Sequence, residues 1–437
     1  MNLINIFCFI FITLNQINSQ ISYPKCPCPN QYHCFKTKNY VRCSNEICSS
    51  SCYPYPNINN INWCDCTIIP APTPTPTPII EHKIIGTVND SATLIFIYDG
   101  SFTIIPTQQL TLPLSISSDN IIIGFSGFNN NTSRSFIYDG TFSFIDGYLL
   151  TGMSSDGSVI IGSNISNFGT SKNDIFEFDN DIFKLDNDIF NLDSYAPNAP
   201  YVSYKYVGGV FIKLGSLCGL CFSNALGISK YGDYIVGWSD VNNNDFVHSV
   251  IYYDNTIKSL GTLCSKYNIP DIDDNCFSYA LGISSNGNVI VGASSNVSFG
   301  ELHATIFNRH NSSLNINLGL HCWNNDLICK SSIASGVSDD GNTIFGISYD
   351  TNDIEYMFIY KNSAIIPIIL NDCYLPDCYY YRFIGVSYLF NLRSLSSDGE
   401  IIVGNIYNNS KHIMFIYTIA TNTTQYLNPE YIVTGVN

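Results

Sequence analysis

Charge is scarce in this sequence: 12% of its 437 residues are charged, and Lys and Arg number 19 against 35 Asp and Glu. So few cations exclude nucleic acid as a partner, because neutralising a run of phosphates takes clustered Lys and Arg. Long apolar runs are missing as well. Beyond the leader, no segment approaches the ~20 apolar residues of a membrane-spanning helix, so no transmembrane anchor is expected after leader cleavage. The C-terminal QYLNPEYIVTGVN has no apolar tail of the lipid-anchor type. No EF-hand loop or nonapeptide calcium repeat occurs. No catalytic constellation emerges either, so no catalytic residue, metal ligand or cofactor is assigned.

What is present begins with MNLINIFCFIFITLNQINSQ, apolar from Leu3 to Leu14 and followed by small polar residues. That run is too short to span a bilayer and reads as a secretory signal over residues 1–20, although it lacks the usual early Lys or Arg. The mature chain is therefore expected outside the cell or on its surface. Cysteine usage agrees: of 17 cysteines, Cys8 lies in the signal and the rest form an even set suited to disulfides in an oxidising compartment. Eight Asn-x-Ser/Thr sequons, at Asn89, Asn130, Asn131, Asn164, Asn296, Asn311, Asn408 and Asn422, are candidate glycan acceptors.

Composition divides the mature chain into three. Residues 21–66 hold Cys26, Cys28, Cys34, Cys43, Cys48, Cys52, Cys64 and Cys66, a density typical of a small disulfide-stapled module. Tyr32, Phe35, Tyr53, Tyr55 and Trp63 lie among them; such aromatics either stack on sugar rings or form the module's own packing. Residues 67–78 follow as a Pro/Thr linker, whose PAPTPTPTP fixes φ at alternate positions and makes a semi-rigid spacer.

Residues 79–437 repeat. ALGISKYGDYIVGWS, ALGISSNGNVIVGAS, ASGVSDDGNTIFGIS, LRSLSSDGEIIVGNI, TGMSSDGSVIIGSN and LSISSDNIIIGFS each join two apolar strands through a turn built on Asp-Gly, Asn-Gly or a similar pair. A second hairpin follows each, as in SFIYDGTFSFI or SVIYYDNTIKSLGTL. Four strands per unit is the content of a propeller blade. The first unit lacks its opening strand, and the terminal YIVTGVN has the form of that strand. The expectation is an all-β, seven-bladed β-propeller closed by its C-terminal strand and preceded by the small disulfide-rich module.

The pattern G-[IV]-S-x-[DN]-G-x-x-[IV]-[VIF]-G, followed by HATIF or HSVIY and then LGTL or LGSL, resembles the HAF family of probable extracellular repeats, named for a His-Ala-Phe signature. The resemblance covers roughly residues 79–437 and implies a repeat fold and export; it assigns no activity. Only His248, His303 and His412 keep the signature histidine, with Thr93, Ser133, Tyr201 and Glu355 at the matching positions. These substitutions argue against a histidine site shared around the ring.

Alternate connections of an up-and-down sheet share a face, so the long loops between hairpins and between units should emerge together. Four inter-unit loops on that face carry two cysteines each: Cys218 and Cys221, Cys264 and Cys276, Cys322 and Cys329, Cys373 and Cys378. Disulfides within each loop would stiffen these connections, though the tight spacing of CGLC also allows pairing to a neighbouring loop. Asn89, Asn130, Asn131, Asn164, Asn296 and Asn408 fall in the loops between hairpins on the same face. One such loop, in the third unit at 165–200, contains NDIFEFDNDIFKLDNDIFNLD, three near-identical heptads. As a helix, Ile175, Phe178, Ile182, Leu185, Ile189 and Leu192 would make an apolar stripe, but the Asn and Asp of every heptad suit a turn-rich meander equally.

Enzymatic readings find little support. A sialidase-like site needs clustered arginines, and the ring has Arg134, Arg309, Arg382 and Arg393. A glycosidase needs two carboxylates in opposed protonation states, yet Asp156, Asp339, Asp340 and Asp398 sit in repeat turns that turn chemistry already explains. The expected function is a secreted or surface-displayed, non-catalytic interaction protein with a protein or glycan ligand. A glycan-active hydrolase or lyase on a propeller scaffold, and a structural component of a coat, are the alternatives.

Overall fold

The computed structural model describes residues 34–36, 40–44, 52–58, 61–67, 82–88, 94–107, 111–126, 134–164, 202–219, 221–241, 246–264, 276–297, 300–322, 329–351, 355–370, 394–408, 411–427 and 431–437. The leader, nearly all of the Pro/Thr linker and the heptad insertion lie outside these residues, as do Cys26, Cys28, Cys48, Cys373, Cys378, Tyr32, Asn89, Asn130 and Asn131. The chain separates into two compact units, Met1–Ile80 and Glu81–Asn437.

The first unit holds an antiparallel sheet in the order Cys34–Lys36, Tyr40–Ser44, Ile61–Thr67, Cys52–Ile58. Its register sets Cys34 opposite Cys43, Cys43 opposite Cys64, Cys52 opposite Cys66, and Tyr55 opposite Trp63.

The second unit is a seven-bladed propeller. Blades 2 to 6 are consecutive four-stranded antiparallel sheets over 111–145, 148–215, 223–261, 278–319 and 329–367. In blade 7, Ile401–Asn408, Lys411–Thr418 and Thr423–Tyr426 form the sheet, and Leu395 bridges to Ile402 at the first-strand position. Blade 1 is composite: the C-terminal Tyr431–Val436 pairs with Ile84–Val88, which pairs with Leu94–Tyr98 and then Phe102–Pro106. The terminal strand closes the ring as its sequence implies. Its Tyr431 ring stacks on Phe102 at 4.1 Å and meets the edge of Phe96 at 5.1 Å, so aromatic packing adds to the ladder hydrogen bonds there.

The core lies between blades. Ile97 and Ile105 of blade 1 pack with Ile116 and Phe136 of blade 2, Val291 and Ala304 of blade 5 with Val337 and Phe358 of blade 6, and Ile401 and Met414 of blade 7 with Ile84 and Phe96 of blade 1. Because both faces of each sheet are covered, the inner strands read as continuous apolar runs such as IIVG or IVG rather than as alternation.

First strands are innermost and touch across blades: the Thr151 hydroxyl of blade 3 donates to the Ala225 carbonyl of blade 4 at 2.6 Å. In six blades the ladder bulges at the same repeat position, at Leu114, Thr151, Leu226, Leu281, Ser335 and Thr434. The bulge presses a first-strand carbonyl onto the second-strand glycine in blades 1 to 5, while in blade 6 the Phe358 ring occupies the space beside Gly346. A Cβ on Gly237 or Gly292 would lie 1.9 Å from the carbonyl oxygen of Asn224 or Tyr279. Fourth strands form the rim, leaving Ile104, Ile212, Ile316 and Ile366 exposed.

Candidate functional site

The ring has two ends of different chemistry. At one, the turn joining first and second strands is built alike in successive blades. Ser154 Oγ donates to Asp156 Oδ1 at 2.7 Å and accepts the Val159 N–H at 3.0 Å, while Asp156 Oδ1 also accepts the Ser158 N–H. Ser284, Asn286 and Val289 repeat this, as do Ser338, Asp340 and Thr343, and Ser396, Asp398 and Ile401. The next residue of each turn needs a positive φ, from 64° to 79° at Asn120, Gly157, Gly232, Gly287, Gly341 and Gly399, although in blade 4 Tyr231 stands where the other turns have Asp or Asn. The repeated S-x-[DN]-G is therefore a turn device. The Ser154 hydroxyl, with the Ser158 N–H, holds Asp156 below the usual carboxylate range, and the Ser338 hydroxyl does the same for Asp340.

These turns are tied to one another. The Ser118 N–H donates to Ser155 O at 2.7 Å, Ser155 N–H to Lys230 O at 3.0 Å, Ser285 N–H to Asp339 O at 2.9 Å and Asp339 N–H to Ser397 O at 2.6 Å. Lys230 Nζ reaches past blade 5 to Asp339 Oδ2 at 3.2 Å. Blade 1 has no such turn, because the chain's C-terminal end and the approach to Ile84 meet there: Asn437 N–H donates to Lys83 O at 3.0 Å. Side chains take over at this seam. Lys83 Nζ donates to Ser118 O of blade 2, and His82 Nε2 lies 3.5 Å from Asp398 Oδ2 of blade 7.

At the other end, inter-blade connections are anchored and stapled. Ser239, Ser294 and Ser348 of the second strands accept the N–H groups of Leu217, Leu263 and His321 at 2.9, 2.8 and 3.1 Å. One residue beyond each anchored N–H stands a cysteine, and disulfides join Cys218 to Cys221, Cys264 to Cys276 and Cys322 to Cys329. Their Cα separations of 5.6, 6.5 and 5.8 Å lie within the span a disulfide bridges. CGLC thus pairs within its own loop. Three neighbouring connections, from blade 3 to blade 6, are each closed by a disulfide.

Other sequence candidates stay apart. His248, His303 and His412 each occupy the second position of a third strand in blades 4, 5 and 7. His248 is buried, and burial holds the His303 imidazole below its usual pKa, with Asn317 Nδ2 3.4 Å from its Nδ1. Asn164 and Asn408 are the last residues of their strands rather than loop residues. Asn296 follows its strand directly, Asn311 caps a 3-10 turn, Ser312–Leu314, and Asn422 adopts φ 53° while its Oδ1 accepts the Tyr417 hydroxyl at 2.7 Å. Cys34, Cys43, Cys52, Cys64, Cys66, Tyr53, Tyr55 and Trp63 all sit on strands of the first unit.

Buried tyrosines remain phenols. Burial pushes Tyr252, whose hydroxyl donates to Ser203 Oγ at 3.0 Å, up to about 12. Burial and the nearby charge of Asp240 raise Tyr279 further above its usual value. Neither tyrosine is poised as a base at neutral pH.

One grouping has no signature in the sequence. His82, Asp398 and Glu400 bring three metal-capable atoms within 4.8 Å of one another. His82 belongs to no repeat, and 316 positions separate it from Asp398. Only the strand-exchange closure, followed one step further to the residues just before Ile84, points to their meeting.

No protein-family model matches the sequence, and no curated protein does. Among solved structures, the chain is similar to TolB from Acinetobacter baumannii, with 9% identity and a TM-score of 0.43 over 93% of this chain and 81% of that one. It is also similar to the β-propeller domain of the Trilobed protease from Pyrococcus furiosus, with 10% identity and a TM-score of 0.45 over 79% of this chain and 98% of that domain. Likeness at this level bears on the fold alone: the chain carries a β-propeller.

Proposed function

We propose that this is an exported, non-catalytic interaction protein of the HAF-repeat type, glycosylated on some of its sequons, whose disulfide-stapled end binds a protein or glycan ligand. The observation that carries the reading is the row of three stapled connections from blade 3 to blade 6. Long loops on a rigid scaffold are where propellers and sandwiches put recognition, and stiffening a loop before binding lowers the entropy lost on complex formation. Disulfides of this kind also suit an oxidising, extracytoplasmic compartment, and no helix among the described residues is long and apolar enough to cross a membrane. The non-catalytic part of the reading is supported by the repeat-turn aspartates, whose Oδ1 atoms are engaged in turn hydrogen bonds.

The test is a glycan array, beside a panel of extracellular proteins, probed with secreted full-length protein and with a Cys264→Ser/Cys276→Ser variant. Binding that weakens at least about tenfold in the variant, with its circular dichroism unchanged, is the expected result. Equal binding by both proteins would move recognition away from the stapled end. Release of sugar from a bound glycan would replace the reading with an enzymatic one.

A further inference from the structure

We propose that His82, Asp398 and Glu400 form a site for a divalent transition-metal ion of the zinc class, which fastens the seam between blades 7 and 1. His82 lies just before the first N-terminal strand of blade 1, Ile84–Val88; Asp398 and Glu400 lie in and after the blade 7 turn. The ion would thus join the two blades that the terminal strand brings together, where the backbone ties between turns are interrupted.

The bonding of Asp398 argues for a ligand. Its Oδ1 is occupied, receiving the Ser396 hydroxyl at 2.6 Å and the Glu400 N–H at 3.0 Å. Its Oδ2 is shielded from solvent and accepts no hydrogen bond. The nearest cation-capable atom is His82 Nε2 at 3.5 Å, longer than the roughly 2.7–2.9 Å of a charge-assisted hydrogen bond. That distance is instead close to the edge of a tetrahedral ligand set, about 3.4 Å when each ligand is about 2.1 Å from the metal.

The turn itself fixes the carboxylate: holding Oδ1 in the Ser396 and Glu400 bonds leaves Oδ2 directed at His82. Glu400 contributes an exposed carboxylate within the 4.8 Å grouping. One imidazole nitrogen and two carboxylate oxygens form a mixed set that favours zinc and its first-row neighbours over calcium, which takes six to eight oxygens. Water would complete the fourth position. Since residues 82 and 398 are nearly the whole ring apart in sequence, an ion bound only to the folded ring stabilises it by mass action.

The experiment is titration of tag-free, chelator-treated full-length protein with zinc chloride, followed by calorimetry and by thermal unfolding. One zinc per chain is expected, with a rise in the unfolding midpoint of about 3–4 °C at zinc near one hundred times its Kd. His82→Ala and Glu400→Gln should each weaken that site at least about tenfold and remove most of the rise. The Glu400 side chain lies outside the turn's hydrogen bonds, so Glu400→Gln should melt like the parent without zinc, whereas His82→Ala, which also loses the Asp398 contact, is judged by the zinc-induced shift from its own zinc-free midpoint. Calcium chloride in place of zinc should give no His82-dependent shift. Zinc binding of equal affinity in both variants, or no saturable site below about 100 μM, would overturn the proposal.

Discussion

At the turn end of the ring, Ser154, Asp156 and Val159 make bonds that Ser284, Asn286 and Val289 repeat two blades away, and each connection is closed within six residues. At the loop end, Ser294 anchors Leu263 across 31 positions, and the connection that follows is held by the Cys264–Cys276 bond. The turn end draws its order from local chemistry repeated in blades 3, 5, 6 and 7; the loop end draws it from disulfides and side-chain anchors that span a whole connection. A repeat protein can therefore vary one end freely while the other maintains the ring, a division suited to recognition on a constant scaffold.

Removing the staple should have the largest effect on this contrast. Cys264→Ser with Cys276→Ser is expected to cost about 3 kcal/mol in urea unfolding, because the reduced chain regains the entropy of a loop. Hydrogen exchange at the turn end should be unchanged below global unfolding; loss of protection at Ser118 or Ser155 would show that the two ends are coupled.

Gly341→Ala attacks the turn end instead. Its φ is 79°, and an added Cβ would lie 2.7 Å from Val289 Cγ2 of the neighbouring blade. A loss of about 2 kcal/mol in unfolding free energy is expected. A neutral result would mean that the turn relaxes, removing the steric account of the repeat's second residue pair.

Matched serine changes sharpen the comparison. Ser294→Ala strands the Leu263 N–H and Ser284→Ala strands the Val289 N–H, each at a cost of about 1–2 kcal/mol. Exchange should speed up locally at Leu263 in the first variant and at Val289 in the second. Speeding at both amides in either variant would contradict independent ends.

The smallest effect is on acid stability. Asp156 and Asp340 have folded pKa values below the ordinary 3.8, through hydrogen bonds led by Ser154 and Ser338. A depressed carboxyl adds stability that is complete above the unfolded value and disappears as pH falls through the folded one. Acid unfolding curves of Asp156→Asn and Asp340→Asn should therefore be separated from the parent's above the ordinary carboxylate value and converge with it as pH falls through the lowered folded value. Constant separation across that range would sever the link to ionisation.

Much of this was legible in the residues. ALGIS followed by IVG, with Asp-Gly or Asn-Gly between, specifies a hairpin through strand periodicity and positive-φ tolerance, both of which act within a dozen residues. YIVTGVN matches the missing strand by the same local criteria, and cysteines confined to one loop pair most readily with each other. The sequence by itself therefore determined blade content, closure and the expectation of staples within the loops, while the pairing of Cys218 with Cys221, left open by its tight spacing, was decided by the structure.

Tertiary structure alone decided what depends on contact between distant segments. Gly237 is required because a bulge at Leu226 drives the Asn224 carbonyl against it, a collision no linear pattern displays. His82 meets Asp398 and Glu400 because ring closure brings the residues before blade 1 beside blade 7. Local preferences select turns and strands one unit at a time, whereas closing a ring correlates positions hundreds of residues apart, and only the packed blades carry that correlation.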